Sequence, residues 1–201
     1  QQLHAQQTMY CERPPTEFVD ICCSWNNRPY AAVIKNALAG YLISGNNGSQ
    51  VTELVPSNTQ DALRIASAWC AYRDIPATTI AVSPADPDLA QILHAIAEST
   101  TIHPANNWRV FDWAATLSAL LNQRVRAGDT ETGSLVLQIG DKDRLCLHVD
   151  GTRTEVTPTD EPAQITMDEI TAMRSLFGPL RPPLPVSWFP LPAYLPHADR
   201  V

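Results

Sequence analysis

Residues 30–55 read YAAVIKNALAGYLISGNNGSQVTELV, and the division of this stretch into strands decides the fold. Tyr30 to Lys35 and Leu38 to Ser44 are apolar runs joined at Asn36-Ala37, the composition of a hairpin. The Gly/Asn loop GNNGSQ and a short strand at Val51 to Val55 then complete a three-stranded meander. Glu53 sits in the middle of that last strand. A carboxylate among apolar residues needs a partner or a pocket, although plain alternation, with Thr52 or Glu53 on a solvent face, also accounts for it.

Downstream, Ala62, Leu63, Ile65, Ala66, Trp69 and Cys70 recur at helical spacing in TQDALRIASAWCAYRD. A brief β-branched strand at Thr78 to Val82 and a helix starting near Asp86, with Pro87 in its first turn, continue the alternation. WRVFDW at Trp108 to Trp113 has strand composition, and Leu117, Leu120, Leu121 and Val125 share one face of a helix over Ala114 to Arg126. Upstream, Thr16 is placed as the N-cap of a short helix carrying Phe18, Val19, Cys22 and Trp25. Residues 1–15 read as a linker or extended arm.

Beyond residue 128 the texture changes. SLVLQIG, LCLHVDG and TRTEVTP are three short strands of period-two character, followed by a helix from Asp168 to Phe177 closed by Gly178. Seven of the 17 prolines fall between Pro179 and Pro196, which excludes a helix or a central strand there. Trp188, Phe189, Leu191 and Tyr194 make that tail too apolar for a free linker, so it is expected to be extended and docked. The expected organisation is an arm at 1–15, an α+β lobe at 16–127 built on a mixed, mainly antiparallel sheet with flanking helices, a small sheet with one helix at 134–178, and the proline-rich tail at 179–201.

The 201 residues carry 14 Lys and Arg against 21 Asp and Glu, a formal charge of −7 with no basic stripe, so nucleic acid is not an expected partner. With 44% apolar and 17% charged residues the chain can build a core. No apolar run reaches the roughly 20 residues of a membrane span, and the first thirty residues lack a basic start followed by an apolar segment. Five scattered cysteines without a CxxC read as reduced, which points to a cytoplasmic setting. Residue 1 is Gln, which is compatible with a piece of a longer chain.

The histidines at 4, 94, 103, 148 and 197 fall into no metal-ligand spacing, and there is no G-x-S-x-G, Walker-type or G-x-G-x-x-G motif. Cys70 and Cys146 sit in apolar patterns that read as structural. His148, on a strand, has no partner in the sequence that would make it a base.

The order of elements from the first helix through YAAVIKNALAGYLIS, VTELV, DALRIASAWCAYRD, TTIAV, DLAQILHAIAES and WRVFD resembles the acyltransferase fold of the GNAT superfamily. It looks like the second, degenerate lobe of the Eis-type (enhanced intracellular survival) N-acetyltransferases. SLVLQIGDKDRLCLHVDG and AQITMDEITAMRSLFGP resemble the late part of a sterol-carrier-like module, which those relatives carry next. An active lobe of the family has a [QR]-x-x-G-x-[GA] loop after the strand that VTELV would occupy, where backbone N–H groups hold the coenzyme A pyrophosphate. Here that stretch is PSNTQDAL, without glycine and with an acid at Asp61.

The resemblance therefore implies a C-terminal region of an acetyltransferase that binds no cofactor itself, acetyl-CoA being held by an N-terminal catalytic lobe of the same parent chain, while this part helps to wall the site of a small amine. It also implies a role as base for the C-terminal carboxylate of Val201, with Glu53, Trp188, Phe189 and Tyr194 as candidate substrate-binding residues. The alternatives are a stand-alone, non-enzymatic binding module and a small apolar-ligand carrier. A homo-oligomer is compatible with all three.

Overall fold

The hairpin closes on Lys35 and Asn36, both with positive φ (49° and 61°), as a two-residue connection matching the right-handed twist of its strands requires. The turn lies one residue earlier than the sequence suggests, because Ile34 pairs with Ala37. The structure is a computed structural model and describes residues 2–7, 10–83, 86–103, 109–126, 128, 130–178 and 181–191. These fall into two units, one containing the residues up to Thr101 and one beginning at Ile102. The division thus precedes the helix that the sequence reading had placed in the first lobe.

In the first unit, β1 (Asn27–Ile34), β2 (Ala37–Gly45), β3 (Gln50–Pro56) and β4 (Thr79–Ile80) form one sheet in that order. β1 to β3 are antiparallel; β4 runs parallel to β3 and pairs only through Gln50–Thr79 and Val51–Ile80. The expected five-residue strand at 78–82 is therefore a two-residue one, and the two segments diverge beyond Ala81, whose N–H donates to the Val51 carbonyl at 2.9 Å. α2 (Ala62–Arg73) and α3 (Pro87–His94) place Ile65, Trp69, Leu89 and Leu93 against Leu42, Val51 and Leu54. Each such aliphatic side chain contributes about 1.5–3 kcal/mol by burial. Gly40 makes this packing feasible: a Cβ there would stand 2.6 Å from the Val55 carbonyl oxygen and 2.9 Å from Ile65 Cδ1.

A bulge alters the phase of β3. Ile43 pairs with Glu53 but Ser44 pairs with Val51, leaving Thr52 as the extra residue. Its hydroxyl donates to the Ile43 carbonyl at 3.2 Å. Val51 and Leu54, three apart, consequently join the same apolar cluster, and Thr52 and Glu53 are both buried. The alternation that would have put one of them in solvent does not occur.

α1 (Phe18–Cys22) is shorter than the stripe Phe18 to Trp25 implies. Pro14 accepts from the Glu17 N–H at 3.0 Å, so Thr16 lies inside a turn and Glu17 occupies the cap position without a side-chain bond. Trp25 has φ 56° and is exposed. The arm is no linker, since His4 and Arg13 are each only 2% exposed.

The second unit holds α4 (Trp113–Arg126) and a sheet of β7 (Thr154–Pro158), β6 (Asp143–Val149), β5 (Gly133–Ile139) and β8 (Ile165–Met167), in that order, followed by α5 (Glu169–Phe177). β8, parallel to β5, is absent from the sequence reading because three residues give too short a period to recognise. Leu135, Leu137 and Ile139 and, across from them, Leu145, Leu147 and Val149 are buried at every second position. WRVFDW is not a strand in its described part: Asp112 accepts from the Ala115 N–H at 2.8 Å and caps α4. Trp113 opens that helix and stacks on Phe177 at 5.9 Å.

Candidate functional site

Because Ile43 is paired with Glu53 and Tyr41 lies two residues earlier on β2, Tyr41 is the diagonal neighbour of Glu53. The arm and α1 supply the rest of the surroundings. Arg13 donates from Nη2 to Glu53 Oε2 at 2.7 Å and from Nη1 to Oε1 at 3.2 Å, with Phe18 against its guanidinium and Cys22 Sγ 3.6 Å from Nη1. The Tyr41 hydroxyl also donates to Oε1. His4 donates from Nε2 to the Cys11 carbonyl at 2.8 Å, since a carbonyl can only accept. Three groups meet at its Nδ1: Tyr41 Oη at 3.0 Å, Gln7 Nε2 at 3.2 Å and Glu53 Oε1 at 3.3 Å. Protonated on both nitrogens, the ring donates to the carboxylate; protonated on Nε2 alone, it accepts from Gln7 while Tyr41 holds the carboxylate.

Burial by itself would push the Glu53 carboxyl up. Hydrogen bonds from His4 and Arg13, the Arg13 charge and the Tyr41 hydroxyl together outweigh it and hold the group below the ordinary carboxylate range. Burial first, then the charge and hydrogen bond of Glu53, push the Tyr41 hydroxyl well above its usual value. A carboxylate that is 4% exposed, low in pKa and bound by these donors is a poor proton acceptor. Its chemistry is to fix the arm to the sheet.

Glu53 also borders a cleft of about 220 Å³, whose other walls include Leu3, Gln7, Ser57, Val82 and Asp86. It opens where β3 and the segment after β4 diverge. The connection from β3 to α2 edges this cleft and is closed on itself. Ser57 donates from both N–H and hydroxyl to the Ala39 carbonyl, Asn58 accepts from the Gln60 N–H at 3.0 Å through its side chain, and its carbonyl accepts from the Asp61 N–H at 2.8 Å.

The other predicted residues lie elsewhere in the chain. Trp188 and Phe189 are buried in the second unit at 0% and 1% exposure, where Trp188 Nε1 donates to the Glu131 carbonyl at 2.8 Å, Ser187 N–H donates to the Glu131 carboxylate, and Leu191 N–H donates to the Leu176 carbonyl at 2.7 Å. The described part of the tail is thus docked. Tyr194 and Val201 lie outside the described residues. His148 stands on an exposed strand face, with Nδ1 2.8 Å from Ser134 Oγ of the neighbouring strand. Cys70 and Cys146 are half-buried rather than enclosed. His4, Arg13 and Tyr41 escaped the sequence reading. The signal that pointed to them was Glu53 itself, whose burial demanded a cation from somewhere in the chain.

Among the described residues no three His, Cys, Asp or Glu side chains are gathered as a metal site, and no helix is long and apolar enough to cross a membrane. No protein-family model and no curated protein matches the chain. Solved structures do. A GCN5-related N-acetyltransferase from Anabaena variabilis aligns over 88% of this chain and 50% of its own, at 17% identity and a TM-score of 0.50. One from Kribbella flavida aligns over 79% of this chain and 40% of its own, at 20% identity and a TM-score of 0.41. The chain therefore spans half or less of the length of these two structures, and what it shares with the Anabaena protein is the mixed α+β fold of GCN5-related N-acetyltransferases.

Proposed function

We propose that the chain is a non-catalytic region of an N-acetyltransferase, in which a separate lobe of the parent protein holds acetyl-CoA and this region helps to wall the site of an acceptor amine. The observation that carries the reading is the β3–α2 connection. In the acyltransferase fold a glycine-containing loop at this place offers backbone N–H groups to a pyrophosphate. Here the stretch from Pro56 to Leu63 has no glycine, and the N–H groups of Ser57, Gln60 and Asp61 are spent on Ala39 and Asn58. Asp61 adds a negative charge at the same turn. A cleft of about 220 Å³ is also below the roughly 300–1,000 Å³ usual for pockets of drug-sized ligands.

Calorimetric titration of the chain with acetyl-CoA tests this: no saturable heat is expected up to millimolar nucleotide. Micromolar binding would overturn the non-catalytic reading. On the same proposal, the carrier-like second unit and the Eis-type architecture describe the parent, and supplying the catalytic lobe in trans should restore acetylation of a small amine.

A further inference from the structure

A second groove, sharing no lining residue with the cleft at Glu53, runs between β1 and α2. It has a volume of about 600 Å³, within the range of small-molecule sites. Its aromatic residues are Tyr30, Trp69 and Tyr72, with ring centroids 4.7 Å apart for Tyr30–Trp69, 6.2 Å for Tyr30–Tyr72 and 5.9 Å for Trp69–Tyr72. Trp69 is fixed before any ligand arrives: its Nε1 donates to the Gly48 carbonyl at 2.9 Å, and Arg73 covers its ring at 5.5 Å while donating to the Asn46 carbonyl. Tyr72 is 70% exposed and leaves aromatic surface open to solvent. Such preorganisation lowers the entropic cost of binding.

The charge of the lining is one-sided. Lys35 and Arg64 belong to it, and among the described residues no Asp or Glu does, in a chain whose formal charge is −7. Arg64 has an ion pair with Asp61 at 3.3 Å, but that pair is exposed and i,i+3, so it holds the guanidinium only weakly. A cationic amine would be repelled here, which separates this groove from an acceptor-amine site.

We propose that the β1–α2 groove binds a flat aromatic monoanion, with its ring against Tyr30 and Tyr72 and its carboxylate met by Lys35 and Arg64. The aromatic pairs favour a ring over an aliphatic chain through edge and face contacts, and the two cations select an anion over a neutral or cationic relative. The inference does not depend on the acetyltransferase reading.

The test is calorimetric titration of the 201-residue chain with 2-naphthoate, beside the neutral 2-naphthalenemethanol. One saturable site for the anion, with the alcohol and the Lys35→Ala/Arg64→Ala and Tyr72→Ala variants each about fivefold to tenfold weaker, is the expected result for loss of the two exposed charged contacts or of one aromatic contact. All three side chains are exposed, so the variants keep the fold, and an unchanged melting temperature verifies it. Absence of saturable binding up to millimolar naphthoate overturns the proposal. So does equal binding of the alcohol, or full affinity in either variant.

Discussion

Arg13 and Glu53 are 40 positions apart in the chain, and their side chains meet at 2.7 Å in a place from which both are almost wholly excluded from water. Two consequences of that pairing can be measured.

Arg13→Ala leaves a carboxylate buried without its main counter-charge, which costs about 3–5 kcal/mol in comparable cases. Urea denaturation should show that loss in the transition of the first unit. The double variant Arg13→Met/Glu53→Leu should recover most of it, since the attraction is set against desolvation of both partners. A single variant as stable as the parent would show that the pair contributes nothing.

The pH dependence follows from the directions of the two shifted groups. Glu53 is depressed below its ordinary value of 4.5, so its contribution is present above that value and is lost as pH falls towards the folded-state value. Tyr41 is raised above its ordinary value of 10.0, so its contribution is present below that value and declines as pH rises beyond it. Stability measured against pH should fall at both ends. Glu53→Gln should flatten the acid limb, and Tyr41→Phe the alkaline one.

Gly40→Val places a branched side chain where even a Cβ would stand 2.6 Å from the Val55 oxygen and 2.9 Å from Ile65 Cδ1. Overpacking of this kind costs about 1–3 kcal/mol. Thermal denaturation should report a lowered transition, and Ile65→Ala in the same chain should relieve only the side-chain part, because the backbone contact remains.

Trp188→Ala removes a fully buried indole and its bond to the Glu131 carbonyl. The expected loss is about 3–5 kcal/mol, read in the melting of the second unit. An unchanged melting temperature would mean that the tail leaves this core without consequence.

The regular elements were legible where side chains repeat at a clear period. Leu135, Leu137 and Ile139 announce a strand by their alternation, and Ile65, Ala66 and Trp69 announce a helix. Arg109 to Asp112 misled because Val110 and Phe111 have strand composition, yet Asp112 is a cap and the helix begins directly after it. Glu53 was recognisable as a residue in need of a partner. Its partners were not, since His4 and Arg13 lie in an arm without periodicity and reach Glu53 only through the tertiary fold. The groove on β1 was invisible for a similar reason: Tyr30 and Tyr72 belong to separate elements, and only the packing of α2 on the sheet brings their rings together.

Thr52 acts as a change of reading frame within β3. Up to Val51 the strand counts its sides one way, and from Glu53 onward the other, so one inserted threonine is what allows Val51 and Leu54 to serve the helices while Glu53 serves the arm. Were the bulge ironed out with Thr52 kept in regular alternation, everything beyond it would change allegiance, turning Glu53 among Leu42 and Ile65 and sending Leu54 towards the guanidinium of Arg13. Deleting Thr52, by contrast, would leave Val51 and Leu54 two apart and on their present face. The buried salt bridge and the helix-facing core therefore depend on the same single irregularity, and neither could be moved along the strand without the other.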